Sequence, residues 1–227
     1  MAENTPTFMN KVEAVIFDMD GVLIDSGAFH RAAWRALLDE SGVPVSDPEF
    51  WRSTIGRPVE EALPLLFNRP LSRRELACYS QRKTELYHSF ARQGFAPVPG
   101  AQAFVRALAD ARIPQGVASS ASRQSVHAVL KRLNLHESFR AVVTADDVKN
   151  GKPDPEVFLM AAYRLKVSPV HCLVFEDSEV GIRSATSAGM ACIGLTTSHT
   201  DLELREAGAF RTVPDFKGVR WEEITLP

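Results

Sequence analysis

Ala14-Val15-Ile16-Phe17-Asp18-Met19-Asp20-Gly21 decides how the rest of the chain is read. Four consecutive apolar residues run straight into two acids and a glycine. A short unbroken apolar run that stops at a turn signal is the pattern of a strand covered on both faces. Similar runs recur at Gly116-Val117-Ala118, Ala141-Val142-Val143, Cys172-Leu173-Val174-Phe175 and Ala191-Cys192-Ile193-Gly194. Between them the spacing turns helical. Val126, Val129, Leu130 and Leu133 fall at i, i+3, i+4 and i+7, as one apolar helix face requires; Phe104, Val105, Leu108 and Ala111 fall at i, i+1, i+4 and i+7, and Val157, Phe158, Ala161, Ala162 and Leu165 likewise make one face. Strands alternating with such helices predict an α/β fold with a doubly wound parallel sheet.

The stretch from Ser26 to Ala96 breaks the alternation. Phe29–Leu38, Val59–Phe67 and Ser72–Phe90 read as helices with no strand between them. Turn-formers bracket the stretch, Asp25-Ser26-Gly27 on one side and Pro97-Val98-Pro99-Gly100 on the other. The expected division is a catalytic core from residues 1–25 and 97–227, with residues 26–96 inserted as an α-helical cap on two hinges.

Composition narrows the class without naming a chemistry. The chain has 227 residues, 45% hydrophobic and 24% charged, with a formal net charge of −2. A default nucleic-acid or membrane-surface binder would carry a basic excess, so neither partner is expected. No apolar run approaches the roughly 18 residues of a membrane span. The N-terminus has no apolar segment of the secretory kind. Cys78, Cys172 and Cys192 lie far apart and form no C-x-x-C pair, which argues against a disulfide framework or a zinc site and for the cytoplasm. A monomer or weak dimer is expected.

Four segments at the ends of the expected strands carry polar chemistry. In a doubly wound sheet, ligands bind beyond the carboxyl ends of the strands, so these segments can meet. Asp18 and Asp20 sit at i and i+2, on one side of an extended chain. One can stay ionised as a nucleophile or metal ligand while the other cycles as acid and base; equally, both can serve a turn. Ser119 and Ser120 end a strand where a helix begins, suiting either a phosphate oxygen or helix capping by Ser119, Ser120 and Ser122. Lys152 precedes Pro153-Asp154-Pro155, with Asp154 as a candidate N-cap; it reads as a counter-charge to the acids or as a solvated lysine. Glu176-Asp177-Ser178 follows a buried strand, giving hard oxygen ligands for Mg²⁺ or another cap. Together the four supply a nucleophile, an acid/base, a phosphate anchor, a counter-charge and a metal site. Those are the parts of phosphoryl transfer.

In order and spacing these segments resemble the four motifs of the haloacid dehalogenase superfamily: DMDGVLIDS from Asp18, Ser119, Lys152 within GKPDPEVF, and Glu176-Asp177 within VFEDSEVGI. The resemblance runs from about Val12 to about Phe216, and is nearest to the β-phosphoglucomutase and phosphoglycolate-phosphatase-like branch. It implies that Asp18 attacks phosphorus and that Asp20 is the acid and base. Mg²⁺ would be held by Asp18, the Asp20 main-chain carbonyl and Asp177, with Glu176 as a further ligand directly or through water. Ser119, Ser120 and nearby backbone N–H groups would bind the phosphoryl oxygens, and Lys152 would balance charge. An acid at Asp20 and another at Asp177 argue against dehalogenation, which needs neither.

Two residues of the inserted stretch bear on substrate choice. His30 matches a cap histidine of the mutase type and is otherwise a packed or exposed helix residue. Arg57 follows Gly56 directly, in the manner of the phosphatases, whereas the mutase arginine would fall at Val59. Lys83, with Arg73, Arg74 and Arg82 nearby, reads as part of a solvated helix face. The expected function is a Mg²⁺-dependent phosphatase of a small phosphorylated metabolite, a sugar phosphate by preference. The alternatives are a β-phosphoglucomutase-like mutase and, from another class, a non-catalytic phospho-ligand binder or phosphoacceptor module.

Overall fold

The computed structural model describes residues 12–44, 50, 54, 59–91, 94–224 and 226. Six strands form one parallel sheet: β1 (Ala14–Phe17), β4 (Gln115–Ala118), β5 (Ala141–Val143), β6 (Cys172–Glu176), β7 (Ala191–Leu195) and β8 (Arg211–Val213), in the order β5-β4-β1-β6-β7-β8. The chain starts in the middle at β1, builds one side through β4 and β5, then crosses to build the other. That reversal leaves β1 between β4 and β6, so the ends of these three strands open onto one crevice.

The apolar run Ala14–Phe17 is buried throughout, yet its residues divide by period two. Val15 and Phe17 belong to one hydrophobic layer, Ala14 and Ile16 to the other. On the Phe17 side lie α4 (Ala101–Asp110) and α5 (Arg123–Arg132). There Phe17 stacks on Phe175 at 5.4 Å between ring centroids, and Phe104 and Phe216 close around them. On the Ile16 side lie α6 (Glu156–Leu165), α7 (Glu179–Ser187) and α8 (Asp201–Glu206). A run with no polar alternation is what such a twice-covered strand needs.

Between β1 and β4 come the three expected helices, α1 (Gly27–Glu40), α2 (Val59–Leu66) and α3 (Arg73–Ala91). They share a separate hydrophobic cluster that includes Trp34, Leu37, Leu38, Leu63 and Leu86. The chain enters and leaves this stretch through a two-stranded antiparallel ribbon, β2 (Ile24–Asp25) with β3 (Ala96–Pro97), in which Ile24 pairs with Pro97 and Asp25 with Ala96.

Three local expectations change. The edge strand β8 is not among the sequence-read strands, because Arg211-Thr212-Val213 is short and half polar. Helix α6 starts at Glu156 with Pro155 as its cap; Asp154 accepts the Glu156 N–H at 2.9 Å from one position further out. Lys83 is not on a solvated face: it is 7% exposed. Its neighbours on α3, Arg73, Arg74 and Arg82, are exposed as expected.

Candidate active site

Asp18 directly follows β1 and is buried. Lys152, from the loop before α6, reaches it across the sheet edge, with Nζ 2.5 Å from Asp18 Oδ1. The same ammonium donates to Glu176 Oε1 at 2.7 Å and to the Ala118 carbonyl at 3.2 Å. An ammonium has three donors, and here all three are used on the ends of β1, β4 and β6. Burial works against the charge on Lys152, but Asp18 and Glu176 more than offset it and hold the lysine above its ordinary value.

Glu176 ends β6 and turns its second oxygen to the start of α7. Oε2 accepts the N–H groups of Asp177 and Ser178 at 2.7 Å each, and the Ser178 hydroxyl at 3.0 Å. Ser178, not Asp177, caps α7, its Oγ accepting the Gly181 N–H. Gly181 packs directly against the Glu176 carboxylate: a Cβ there would lie 1.8 Å from Glu176 Oε1 and would have to displace it. Gly21, at φ +72°, is fixed for a like reason, since its Cβ would lie 1.8 Å from Asp177 Oδ2.

Asp18, Glu176 and Asp177 each offer an oxygen within 4.8 Å of the others. Burial first, then mutual repulsion, drives two of them upward: Asp18 to about 7 and Asp177 well above its ordinary range. Lys152 pairs with Asp18 and Glu176, and Asp177 stands beside them. Hard oxygen donors with uncompensated negative charge fit a divalent cation of the Mg²⁺ class. The Asp20 side chain is not in this group.

Ser119 is 1% exposed at the end of β4. Its N–H is taken by the Val143 carbonyl, and its Oγ accepts the Ala121 N–H at 3.1 Å, so the hydroxyl proton is the part left for an incoming oxygen. Ser120 is exposed, and Ser122 caps α5. The loop is braced from the next strand: Ala145 N–H to Ala121 O, Arg123 N–H to Asp146, and the Arg123 guanidinium to Asp147, which Arg164 also holds.

Asp20 is half-buried and faces the inserted helices. Tyr87 on α3 donates its hydroxyl to Asp20 Oδ1 at 3.2 Å, and His30 Nε2 on α1 lies 3.6 Å from the same oxygen. Lys83 Nζ lies 2.9 Å from His30 Nδ1. An ammonium only donates, so Nδ1 accepts and the proton of the neutral ring sits on Nε2, toward Asp20. The His30 ring stacks on Tyr87 at 4.3 Å. Burial alone would raise Asp20, but His30, Ser26 and Tyr87 outweigh it and lower its pKa. His30 is itself lowered, by burial and then by Lys83. Arg57 lies outside the described residues.

The segment after β7 was not singled out from sequence. Ser198 Oγ donates a hydrogen bond to Asp177 Oδ2, Thr197 Oγ1 donates to the Gly21 carbonyl at 2.7 Å, and His199 Nδ1 lies 3.0 Å from the Asp177 carbonyl. Lys83, which the sequence reads as solvated, and Tyr87, which it does not mark, belong to the site as well. Their four-residue spacing on one helix face was the available signal.

A family model described as haloacid dehalogenase-like hydrolase matches residues 15–195, from β1 to the end of β7. The chain belongs to the haloacid dehalogenase-like hydrolases. Among members of this family, it is 36% identical over 204 residues to the phosphorylated carbohydrates phosphatase of Thermotoga maritima, covering 89% of this chain and 94% of that protein. It is 33% identical over 195 residues to the β-phosphoglucomutase of Bacillus subtilis, covering 81% and 83%. The crystal structure of a family IA, variant 3 hydrolase from Entamoeba histolytica superposes with a TM-score of 0.83 at 31% identity, covering 93% of this chain and 96% of that one.

Proposed function

We propose that this haloacid dehalogenase-like hydrolase removes phosphate from a small phosphorylated metabolite, a sugar phosphate, with Mg²⁺ as its cation. The observation that carries the reading is a division of labour between two acids two residues apart. Asp18 is buried against Lys152 at 2.5 Å, whereas Asp20 is turned to His30 and Tyr87. One is placed to attack and the other to exchange protons.

Asp18 attacks phosphorus through a carboxylate oxygen, and the bond from phosphorus to the ester oxygen breaks. Asp20 gives its proton to that departing oxygen. The resulting Asp20 carboxylate, the form its surroundings favour, then takes a proton from the water that attacks phosphorus and frees Asp18. Ser119, with Ser120 and nearby N–H groups, holds the phosphoryl oxygens, and Lys152 offsets the charge on nucleophile and phosphate. Asp18, Asp177, the Asp20 main-chain carbonyl and Glu176, directly or through water, would hold Mg²⁺, which when bound neutralises charge on the transferring phosphoryl group. Residues 26–96 serve as the cap over the core of residues 1–25 and 97–227, and His30 and Arg57 act in substrate choice. The named activity of the Thermotoga maritima relative supports a carbohydrate phosphate as substrate. Three unpaired cysteines support the cytoplasm as its place of work.

The test is phosphate release from a panel of sugar phosphates, with Mg²⁺ and with a chelator, for the wild type and Asp18→Asn. Turnover that survives chelation or the substitution refutes the mechanism. A mutase is the second reading, favoured by the contact of His30 and Lys83 behind Asp20 and by the Bacillus subtilis relative. It replaces the first if β-glucose 1-phosphate becomes glucose 6-phosphate faster than phosphate appears. A panel with no turnover at all returns the chain to the binding-module class.

A further inference from the structure

The loop after β7 touches the acidic site without belonging to any of the four motif segments. Thr197 Oγ1 lies within reach of two acceptors, the Gly21 carbonyl at 2.7 Å and Asp177 Oδ2 at 3.4 Å. A hydroxyl has one proton, and the shorter contact takes it. Ser198 is then the hydroxyl donor committed to the Asp177 carboxylate. The same carboxylate oxygen lies against Gly21, where a Cβ would come within 1.8 Å. His199 Nδ1 approaches the Asp177 main-chain carbonyl at 3.0 Å; a carbonyl only accepts, so Nδ1 carries the proton. Oδ2 of Asp177 thus lies against the Gly21 backbone and accepts the Ser198 hydroxyl, and Thr197 ties Gly21 to the same loop.

We propose that Thr197 and Ser198 are positioning residues for the cation: Ser198 fixes the rotation of the Asp177 carboxylate, and Thr197 fixes the Gly21 turn against it. The inference rests on the reading of Asp18 and Asp177 as cation ligands. Donors of this kind behind a ligating carboxylate set its orientation, and their loss typically weakens metal binding on the order of 10–100-fold. A hydroxyl that merely filled space would leave affinity unchanged when replaced by a residue of like volume.

The experiment is Mg²⁺ titration calorimetry on the substrate-free protein, with thermal unfolding recorded without the cation. Ser198→Ala is expected to raise the dissociation constant about tenfold or more, while Ser198→Thr, which keeps the hydroxyl, restores tight binding. Ser198→Cys is a slightly larger side chain of the same shape but offers only a weak S–H donor. It is expected to bind weakly, and it carries the test if Ser198→Ala does not fold. Wild-type affinity in Ser198→Ala or Ser198→Cys overturns the inference, as does a Ser198→Thr protein no better than Ser198→Ala. A wild-type protein that binds no Mg²⁺ overturns the cation reading itself, and this inference with it.

Discussion

Lys83 and His30, from different helices of the inserted stretch, meet at 2.9 Å directly behind Asp20. Burial lowers Lys83 to about 8 from an ordinary 10.5. Between these values the unfolded chain holds a proton that the folded one has released, so stability rises with pH across that window. Urea unfolding at pH 8, 9 and 10 is expected to show this rise in the wild type and to lose its Lys83 component in Lys83→Met. Lys83→Met also frees the His30 ring to exchange tautomers, and kcat is expected to fall.

Asp20 is the proton carrier of the proposed mechanism. Asp20→Asn is expected to lower kcat about 10²–10⁴-fold, with KM little changed. Tyr87 helps to keep Asp20 below its ordinary value. Tyr87→Phe removes that donor, so the alkaline limb of kcat/KM, where Asp20 loses the proton it must give, is expected to move to higher pH. An alkaline limb that stays in place would remove Tyr87 from the tuning of Asp20.

Asp18 is raised to about 7 by burial and by its neighbouring acids. The folded protein therefore binds a proton that the unfolded chain has released between its ordinary 3.8 and about 7. That contribution is fully present below pH 3.8 and is lost as pH rises through about 7. Thermal unfolding in chelator is expected to show declining stability across this window, less steep in Asp18→Asn. Mg²⁺ is expected to raise the melting temperature more at pH 8 than at pH 5.

Gly21 stands at φ +72° with Asp177 against it. Gly21→Ala is expected to cost about 1–3 kcal/mol of stability from the backbone alone, and to displace the Asp177 carboxylate. Denaturant unfolding with Mg²⁺ titration checks both. Unchanged cation affinity would show that Asp177 is not held by this turn.

The strands around the site were legible because burial on two faces leaves little choice of residue. Ala14-Val15-Ile16-Phe17 and Cys172-Leu173-Val174-Phe175 have no polar side to offer, and the acids that end them stand out. Lys152 was legible from its place before Pro153-Asp154-Pro155. Lys83 was not, because its neighbours Arg73, Arg74 and Arg82 form a real solvated face. Only the packing of α3 on α1 shows which cation turns inward. Thr197 and Ser198 read as ordinary loop hydroxyls until Gly21 and Asp177, far away in sequence, are brought beneath them. Pro97, which has no N–H to give a ladder, concealed the pairing of Ala96-Pro97 with Ile24-Asp25.

That small ribbon has an evolutionary consequence. Because Ile24 and Pro97 are neighbours, everything between them leaves and rejoins the core at a single point. Such a segment is an exchangeable cassette: it can lengthen, shrink or be traded without altering the register of any strand in the main sheet. Rewriting that one contiguous block leaves Asp18, Ser119, Lys152 and Asp177, which all lie outside it, on an unchanged sheet.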